Sequence, residues 1–423
     1  MGADGSPFRP APRFRLLSLS TVYPNPSEPG LGLFVQARLR HLASLADGPE
    51  VTVVAPIPMV DYWRRRMFLG AIPKRSDEPR MSVVHPRWLY PPLGGTINAL
   101  CLFVQLLAPV ARLRRSFTFD LIDAHFGHPE AGAAWLLAWL FRRPFVVTLR
   151  GNETMHGAHR WRRVLMARAL RRAARVITVS ESLRRFAISL GVDPARAVEI
   201  SNGVDTAIFY PRDPQLMRQR HGLSADAPLV LSVGALIERK GHHHVIRAMD
   251  AIRRKGTPVQ LLVVGGPGRE GRYEPVLRQL VAGRGMENTV HFLGQRSPAV
   301  VAELMSACDL FCLASSREGW PNVLHEALAC GTPVVATDVG AAREMAPTEE
   351  YGFLVPAGDQ EALEHHLHAA LTRRWNRTAV ARWGQSRSWR QVAEETLAQM
   401  QAVLLEDAQA APAAPSGKET RQS

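Results

Sequence analysis

The chain has 423 residues, 46% of them apolar, so it can bury large cores and is long enough for two domains. No apolar run reaches the ~20 residues that span a bilayer, and residues 1–12 lack the apolar core of a signal peptide. The four cysteines form no C-x-x-C pair, which argues against a disulfide framework and against a zinc ribbon. We therefore expect a cytoplasmic protein with reduced thiols.

The formal net charge of +14 comes entirely from the first half of the chain. Residues 1–203 contain 28 Lys and Arg and 14 Asp and Glu, whereas residues 204–423 contain 24 of each kind. A basic half predicts an acidic partner, such as a membrane leaflet, a lipid phosphate, a polyanionic glycan or nucleic acid. The alternative is a compositional bias toward arginine, since only four of the basic residues are lysines.

Residues 13–203 alternate short apolar runs with helical patterns, which predicts a parallel sheet covered on both faces. The predicted strands are 14–19, 51–55, 121–124, 145–149 and 176–179, and the predicted helices are 34–45, 97–113, 131–141, 161–172 and 181–190. The segment 61–92 is less regular. Its arginines, aromatic residues and prolines fit either an interface or an ordinary solvated loop.

Candidate ligand-binding residues follow three of these strands. A glycine-rich loop after the first strand includes Gly32, where the backbone can approach a ligand closely. His125 and His128 follow the strand at 121–124, and Arg150 follows the next strand. The carboxyl ends of parallel strands meet at one edge of a sheet, where ligands bind. The alternatives are a plain loop, structural histidines, and an ion pair between Arg150 and Glu153.

A turn at 202–205 precedes a second alternating region. Its predicted strands are 229–233, 260–264, 290–292, 310–313, 334–336 and 353–355, and its predicted helices are 245–254, 273–282, 300–306 and 389–404. We predict domains at 13–203 and 204–385, a terminal helix at 386–405 and a disordered tail at 406–423, because the tail is rich in Ala, Pro, Gly, Ser and Gln.

The segment from Gly234 to Gly241 suits a bound phosphate. Gly234 follows a predicted strand, and Lys240 stands just before a helix, so its cation would face the phosphate. The P-loop pattern is absent, and the alternative for Lys240 is a surface lysine. The next three residues are histidines, which point in different directions on a helix and make a poor metal site.

A formal G-x-G-x-x-G pattern begins at Gly266, after the strand predicted at 260–264. Taken alone, the pattern suggests a dinucleotide fold. The signal is weak because the pattern lies in the second unit of this half, Pro267 occupies the turn, and no clear acid follows the expected strand. A further glycine, Gly294, follows the next predicted strand.

The most specific stretch begins at Glu318 and reads EGWPNVLHEALACGTPVVA. Its proline suits the first turn of a helix, so the free N–H groups of Gly319, Asn322 and Val323 can face an anionic ligand, helped by the helix dipole. A phosphate held there leaves Glu318 for sugar hydroxyls and Glu326 for a ribose. The alternative is a loop–helix turn with two solvated glutamates.

This stretch resembles the E-x7-E signature of the retaining, nucleotide-sugar-dependent glycosyltransferases of family 4. The segments at 202–209 and 234–241 resemble further segments of the same family, and the resemblance runs from about residue 13 to 403. It implies an α/β protein of the GT-B fold. In that fold two Rossmann-like, doubly wound parallel-sheet domains face each other across a cleft, and a C-terminal helix crosses back to the first domain.

The resemblance also implies roles for the candidate residues. Catalytic roles fall on Lys240, Glu318 and His125, the histidine we prefer over His128 for contact with the sugar or the acceptor hydroxyl. Donor contacts fall on Gly32, Gly234, Arg239, Gly266, Gly294, Gly319, Asn322, Val323 and Glu326, and acceptor contacts on Arg150 and His128. The Arg that the family usually has after its first glycine is Ala235 here, and Arg239 would compensate for it.

These resemblances predict transfer of a sugar, with retention, from a UDP- or GDP-sugar to a glycan or polyprenyl-linked acceptor in cell-surface polysaccharide biosynthesis. No metal or other cofactor is expected, because cations and helix dipoles take the metal's role. We expect peripheral contact with the anionic inner face of the cell membrane and no nucleic-acid partner. The alternatives are an NAD-dependent oxidoreductase and a non-catalytic binder of anionic glycan or nucleic acid.

Overall fold

The structure is a computed structural model that describes residues 13–64, 72–78, 80–90, 95–268 and 270–410. The strands are β1 (Arg15–Leu19), β2 (Glu50–Val54), β3 (Ile57–Pro58), β4 (Arg75–Glu78), β5 (Met81–Val84), β6 (Arg87–Trp88), β7 (Leu121–His125), β8 (Phe145–Leu149), β9 (Arg175–Thr178), β10 (Ala197–Glu199), β11 (Leu229–Val233), β12 (Gln260–Val264), β13 (Val290–Gly294), β14 (Leu310–Leu313), β15 (Val334–Thr337) and β16 (Gly352–Val355).

The helices lie mostly between these strands. They are α1 (Leu33–Ser44), α2 (Met59–Arg64), α3 (Asn98–Arg114), α4 (Glu130–Phe141), α5 (Glu153–Gly157), α6 (Arg160–Arg172), α7 (Glu181–Ser189), α8 (Pro214–Arg220), α9 (His242–Arg254), α10 (Glu274–Ala282), α11 (Pro298–Ala307), α12 (Asn322–Ala329), α13 (Ala342–Met345), α14 (Gln360–Thr372), α15 (Arg377–Gly384) and α16 (Trp389–Ala410). In the described part of the chain, no helix is long and apolar enough to cross a membrane.

Two large sheets confirm the predicted doubly wound architecture. The first sheet has the order β10-β9-β8-β7-β1-β2-β5-β4, in which β4 alone is antiparallel to its neighbour. The second has the order β13-β12-β11-β14-β15-β16 and is fully parallel. The strand order reverses between β1 and β7 in the first sheet, and between β11 and β14 in the second. The carboxyl ends of these strands are where such sheets bind ligands.

Both faces of each sheet are buried, which explains the nearly continuous apolar strands. In β1, Leu17 and Leu19 pack into one core cluster, whereas Leu16 packs into the cluster on the opposite face. In β11, Leu231 and Val230 are divided between two clusters in the same way. Successive side chains of a strand point to opposite faces, so a strand covered on both sides is apolar at nearly every position.

The last helix returns to the first sheet, as the resemblance implied. The chain returns to the first domain beside the segment by which it left that domain, and Val204 and Ser388 form a parallel bridge between the two segments. On α16, Leu397 and Met400 then pack with residues of α1 and β2. The prediction that the tail begins at 406 is wrong by five residues, because α16 continues to Ala410 and Arg175 donates to the Glu406 carboxylate at 3.1 Å.

The irregular segment predicted at 61–92 contains short strands that the sequence pattern did not reveal. Of these, β5 joins the first sheet beside β2, and β4 pairs with β5. Strands β3 and β6 form a separate parallel pair. Residues 65–71, 79 and 91–92 of this segment lie outside the described residues, as does the part of the predicted tail at 411–423.

Candidate active site

The Lys240 turn packs against the loop that carries Glu318. After β11 the chain forms a short 3-10 helix, Glu238–Lys240, which ends at Gly241 with φ of 70°. A Cβ on Gly241 would lie 1.9 Å from the carbonyl oxygen of Ala314, so only glycine permits this approach to the end of β14. The Lys240 Nζ donates to Glu318 Oε1 at 2.6 Å. Lys240 and Glu318, 78 residues apart in sequence, therefore meet in the structure.

A second cation lies on the other side of Glu318. The Arg239 guanidinium is 2.8 Å from Glu270 Oε1 and 3.8 Å from Glu318 Oε2, and it donates to the backbone oxygen of Arg317 at 3.1 Å. Glu318 is thus held between Lys240 and Arg239 at the strand-order reversal of the second sheet. Arg239 is close enough to serve as the second cation that Ala235 does not supply.

The first turn of α12 presents backbone donors beside this pair. Among the described residues, none accepts a hydrogen bond from the backbone N–H of Gly319, Asn322 or Val323. The helix begins at Asn322, so its dipole adds positive potential at the same place. This end of α12 can therefore hold an anionic group that also reaches Lys240.

Glu326 lies one turn further along α12. No described residue forms a hydrogen bond or ion pair with its carboxylate, and the residue keeps a partial opening to solvent. Burial raises the pKa of Glu326 to about 7, because the charged form has lost part of its hydration. A ligand with hydroxyl donors could supply the missing partners.

Glycine loops from both sheets meet near Gln295. The Gly265 N–H donates to the oxygen of Gly294 at 3.0 Å, which ties two loops of the second sheet together. A Cβ on Gly266 would lie 3.4 Å from Gln295 Oε1, and a Cβ on Gly30 of the first-sheet loop would lie 3.1 Å from Gln295 Nε2. Two of the other predicted glycines lie in the same region. Gly234 stands against the Lys240 side chain, and Gly32 begins α1.

The two domains also touch directly beside Glu318. A Cβ on Gly319 would lie 2.0 Å from the oxygen of Arg150, and a Cβ on Gly151 would lie 2.5 Å from the Cα of Gly319. Backbone therefore packs on backbone at this point. A cavity of about 270 Å³ adjoins the contact, lined by Gly151, Thr154, Ser182, Leu183, Ser316, Arg317, Glu318, Val339 and Gly340.

The structure places His125 in a buried polar network, and its contact with a sugar or an acceptor stays a prediction. The ring is fully buried, its Nδ1 accepts from Arg150 Nη2 at 3.0 Å, and its Nε2 is 3.1 Å from Asp123 Oδ2. Burial lowers the pKa of His125 to about 4, so the ring is neutral at neutral pH, with its proton on Nε2 facing Asp123. Both ring nitrogens are therefore engaged by neighbouring side chains, at the carboxyl end of β7.

Arg150 is likewise buried, and its contact with an acceptor stays a prediction. Its guanidinium donates to His125 and, through Nη1, to Asn202 Oδ1 at 3.1 Å. Asn202 Nδ2 in turn donates to Asn322 Oδ1 at 3.0 Å. The alternative ion pair with Glu153 is absent too, because that carboxylate accepts from backbone N–H groups, including that of Gly151 at 2.6 Å. Arg150 therefore connects the first-sheet core to the first residue of α12.

His128 lies nearer the surface than His125 but is also engaged. Its Nε2 is 2.6 Å from the oxygen of Gly95, and its ring centroid is 5.1 Å from that of His156. Burial lowers the pKa of His128, so its ring is neutral at neutral pH. His128 thus lies on the side of the first domain where α3 begins.

Two residues of this network were missed as functional candidates. Asp123 orients His125, and Asn202 links Arg150 to Asn322. The spacing of Asp123 and His125 was a usable signal, because residues two apart on a strand share a face. Nothing local in the sequence indicated the contacts of Asn202, which depend on how the domains meet. Within the described ranges, no group of three or more His, Cys, Asp or Glu side chains is placed to hold a metal ion.

Comparison with known proteins agrees with this geometry. Residues 30–208 match the family model Glycosyltransferase Family 4, and residues 213–387 match the model Glycosyl transferases group 1. A phosphatidyl-myo-inositol mannosyltransferase of Mycobacterium leprae (strain TN) is 32% identical over 353 residues, covering 80% of this chain and 83% of that protein. The chain belongs to glycosyltransferase family 4.

Other members of the family, and solved structures, extend the comparison. TuaC of Bacillus subtilis (strain 168), a glycosyltransferase that its name assigns provisionally to teichuronic acid biosynthesis, is 26% identical and covers 84% of this chain and 90% of its own. Sucrose-phosphate synthase from Thermosynechococcus elongatus superposes with a TM-score of 0.73 at 22% identity, covering 94% of this chain and 98% of its own. HepE of Anabaena, solved with UDP, superposes with a TM-score of 0.69 at 23% identity, covering 92% of this chain and 100% of its own.

These findings confirm the family, the GT-B fold and glycosyltransferase activity. They decide against an NAD-dependent oxidoreductase and against a non-catalytic binder. The formal glycine pattern that suggested NAD follows β12 rather than the first strand of its sheet, and its first glycine lies beside Gln295.

Proposed function

We propose that this glycosyltransferase moves a sugar, with retention, from a UDP- or GDP-sugar to a glycan or polyprenyl-linked acceptor of cell-surface polysaccharide. The observation that carries the proposal is the convergence of Lys240, Glu318 and the first turn of α12. A cation, a carboxylate and unpaired N–H groups at one strand-order reversal are what a sugar diphosphate requires.

The chemistry follows from the charges. When the bond between the sugar and the diphosphate breaks, negative charge develops on the leaving phosphate, and the Lys240 ammonium and the α12 amides stabilise it. The Lys240 Nζ has three donors and uses one on Glu318 in the free protein, so it can serve both groups. Glu318 then accepts from sugar hydroxyls. Glu326, which lacks a partner, accepts from the ribose hydroxyls.

Retention is part of the proposal and requires no dedicated protein base. The acceptor hydroxyl attacks on the face from which the diphosphate departs, and the leaving phosphate takes the proton of that hydroxyl. His125 is not assigned to proton transfer, because both of its ring nitrogens are engaged. Together with Arg150 and Asn202, His125 would fix the position of Asn322 at the start of α12.

The names of relatives support the choice of substrates. HepE was solved with UDP and also with UDP-glucose, and the name of TuaC refers to a cell-envelope glycan. Metal independence belongs to the proposal as well, since Lys240 and Arg239 would supply the positive charge. The predicted position at the inner face of the cell membrane rests on the excess charge of residues 1–203.

A panel of nucleotide sugars tests the donor. We expect UDP-glucose or a related UDP- or GDP-sugar to raise the melting temperature, by an amount that grows with concentration, while NADH does not. Chelation of divalent ions should leave this shift unchanged.

Lys240→Met tests the catalytic role, with Lys255→Met as a matched control at the exposed end of α9. The first variant should lose donor hydrolysis and transfer, and the control should keep both. Equal activity in the two variants, or no stabilisation by any nucleotide sugar, would contradict the proposal.

A further inference from the structure

The outward face of α3 is apolar from the start of the helix to residue 111. Ile97, Leu100 and Val104 are 50%, 54% and 54% exposed, and their spacing places them on one side of the helix. Residues 98–111 contain no charged side chain. The opposite side of α3 already contributes Leu102 and Leu106 to the core of the first domain. A helix that is apolar all round is normally buried, whereas the described residues leave this face of α3 exposed.

Exposed tryptophans extend the apolar surface to the neighbouring helices. Helix α4 packs against both α3 and α6, and its Trp139 is 74% exposed. On α6, Trp161 is 64% exposed, and the Arg160 guanidinium lies 5.5 Å from its ring centroid. Tryptophan beside arginine is typical of the boundary between lipid chains and headgroups.

Residues 121–180, which include α4 and α6, are strongly basic and carry no exposed carboxylate. Residues 154–180 contain seven arginines and no acid, and five of these arginines are exposed on α6. Between residues 121 and 180 the acids are Asp123, Glu130 and Glu153, and all three are fully buried. In the part of the chain that the structure describes, none of the exposed α6 arginines pairs with a carboxylate.

We propose that the outward faces of α3, α4 and α6 form a docking surface for an anionic lipid bilayer. This surface, the α3–α4–α6 face, deepens the proposed function, because it specifies how the enzyme would meet a lipid-linked acceptor. The apolar stripe enters the acyl boundary, and the arginines bind lipid phosphates. A soluble polyanion would leave the stripe exposed. A second copy of the chain would bring arginines against arginines, because a twofold interface pairs a surface with itself.

The position of the α3–α4–α6 face suits this role. His128 contacts Gly95 just before α3, and a Cβ on Gly95 would lie 1.9 Å from Arg162 in the first turn of α6. The first turns of α3 and α6 therefore adjoin the edge of the sheet where β7 ends. A lipid-linked sugar could reach the cleft from that edge while its chain stays in the membrane.

Flotation of the full-length chain with phosphatidylglycerol vesicles at low salt tests the proposal, with phosphatidylcholine vesicles for comparison. We expect binding to phosphatidylglycerol that weakens as salt rises, and little binding to phosphatidylcholine. The double variant Leu100→Gln with Val104→Gln should bind about tenfold less, and Arg163→Gln with Arg168→Gln about thirtyfold less at low salt.

Matched controls lie on exposed positions of the other domain and of α16. Leu216 and Leu405 are 56% and 64% exposed, and Leu216→Gln with Leu405→Gln should leave vesicle binding unchanged. Arg374→Gln with Arg382→Gln controls for the loss of two charges, and binding should fall by only a few-fold.

Three results would overturn the proposed docking role of the α3–α4–α6 face. The first is that wild-type protein does not float with phosphatidylglycerol vesicles, and the second is that the face variants bind as well as their controls. The third is a dimer, seen by sedimentation, that the Leu100 and Val104 variant abolishes. Thermal stabilisation by a nucleotide sugar is measured on the same samples. Stabilisation without flotation refutes the face and leaves the enzyme proposal standing. Flotation without stabilisation by any nucleotide sugar refutes the enzyme proposal and leaves the membrane-docking role of the face standing.

Discussion

Glu326 should make donor binding depend on pH. Burial raises the pKa of its carboxyl to about 7, and ribose hydroxyls would donate to the ionised form, so the donor competes with a proton. With that pKa, roughly a tenth of the carboxyl is ionised at about pH 6 and roughly nine tenths at about pH 8. Affinity for a nucleotide sugar should therefore rise about tenfold over this range, or ~1.4 kcal/mol.

Isothermal titration with UDP-glucose measures this effect, since the diphosphate of a nucleotide sugar has no proton to lose in that range. Glu326→Gln should bind with the same affinity at both pH values. Glu344→Gln is a matched control, because burial and the nearby Glu199 raise the pKa of Glu344 to about 7 outside the site. It should keep the wild-type dependence. A wild-type affinity that does not change with pH, or a dependence that disappears in Glu344→Gln and persists in Glu326→Gln, would refute the reasoning.

Three further outcomes are expected. Glu318→Gln should lower the rate of transfer by about 10²–10³-fold, because it removes a charged partner of the sugar and keeps the fold. Steady-state rates measure the loss of activity, and melting curves check that the fold is kept. Gly151→Ala should weaken donor binding without unfolding either domain, since its Cβ would push Gly319 away; calorimetry with UDP-glucose checks this. A thiol reagent should modify Cys101 in the native protein and spare the buried Cys308, Cys312 and Cys330 until denaturant is added. The extent of labelling at each cysteine, compared before and after denaturation, measures this difference.

The two sheets could be predicted because their strands are buried on both faces. Runs such as the one at β11 are apolar at four of five positions, and the helices between them are long enough to show a separate pattern. The short strand β4 was not predicted because it reads RSDE and lies at the sheet edge, where polar residues are tolerated. The end of α16 was predicted too early, since the ion pair between Arg175 and Glu406 joins residues far apart in sequence.

The site in the second domain could be predicted because each of its parts lies within one short segment of the sequence. Lys240 and Glu318 each lie in the segment between a strand and the next α-helix, and the strands β11 and β14 adjoin in the sheet. The rule that carboxyl ends of parallel strands meet at one edge was enough to bring them together. In the first domain the same rule put His125 and Arg150 at the correct edge. It could not give the direction of their side chains, which depends on Asp123 and on the linker residue Asn202.

That linker contact bears on how the site works as a whole. Asn202 follows β10 of the first sheet, accepts from Arg150 and donates to Asn322, the residue with which α12 begins. The position of the helix end that would hold the diphosphate is therefore partly set by a buried arginine of the other domain. Because the Arg150 guanidinium has His125 and Asn202 as partners, any separation of the domains that breaks the Asn202 contacts leaves buried donors unsatisfied, which is costly. The same polar chain that orients α12 thus favours the closed arrangement in which Gly151 meets Gly319.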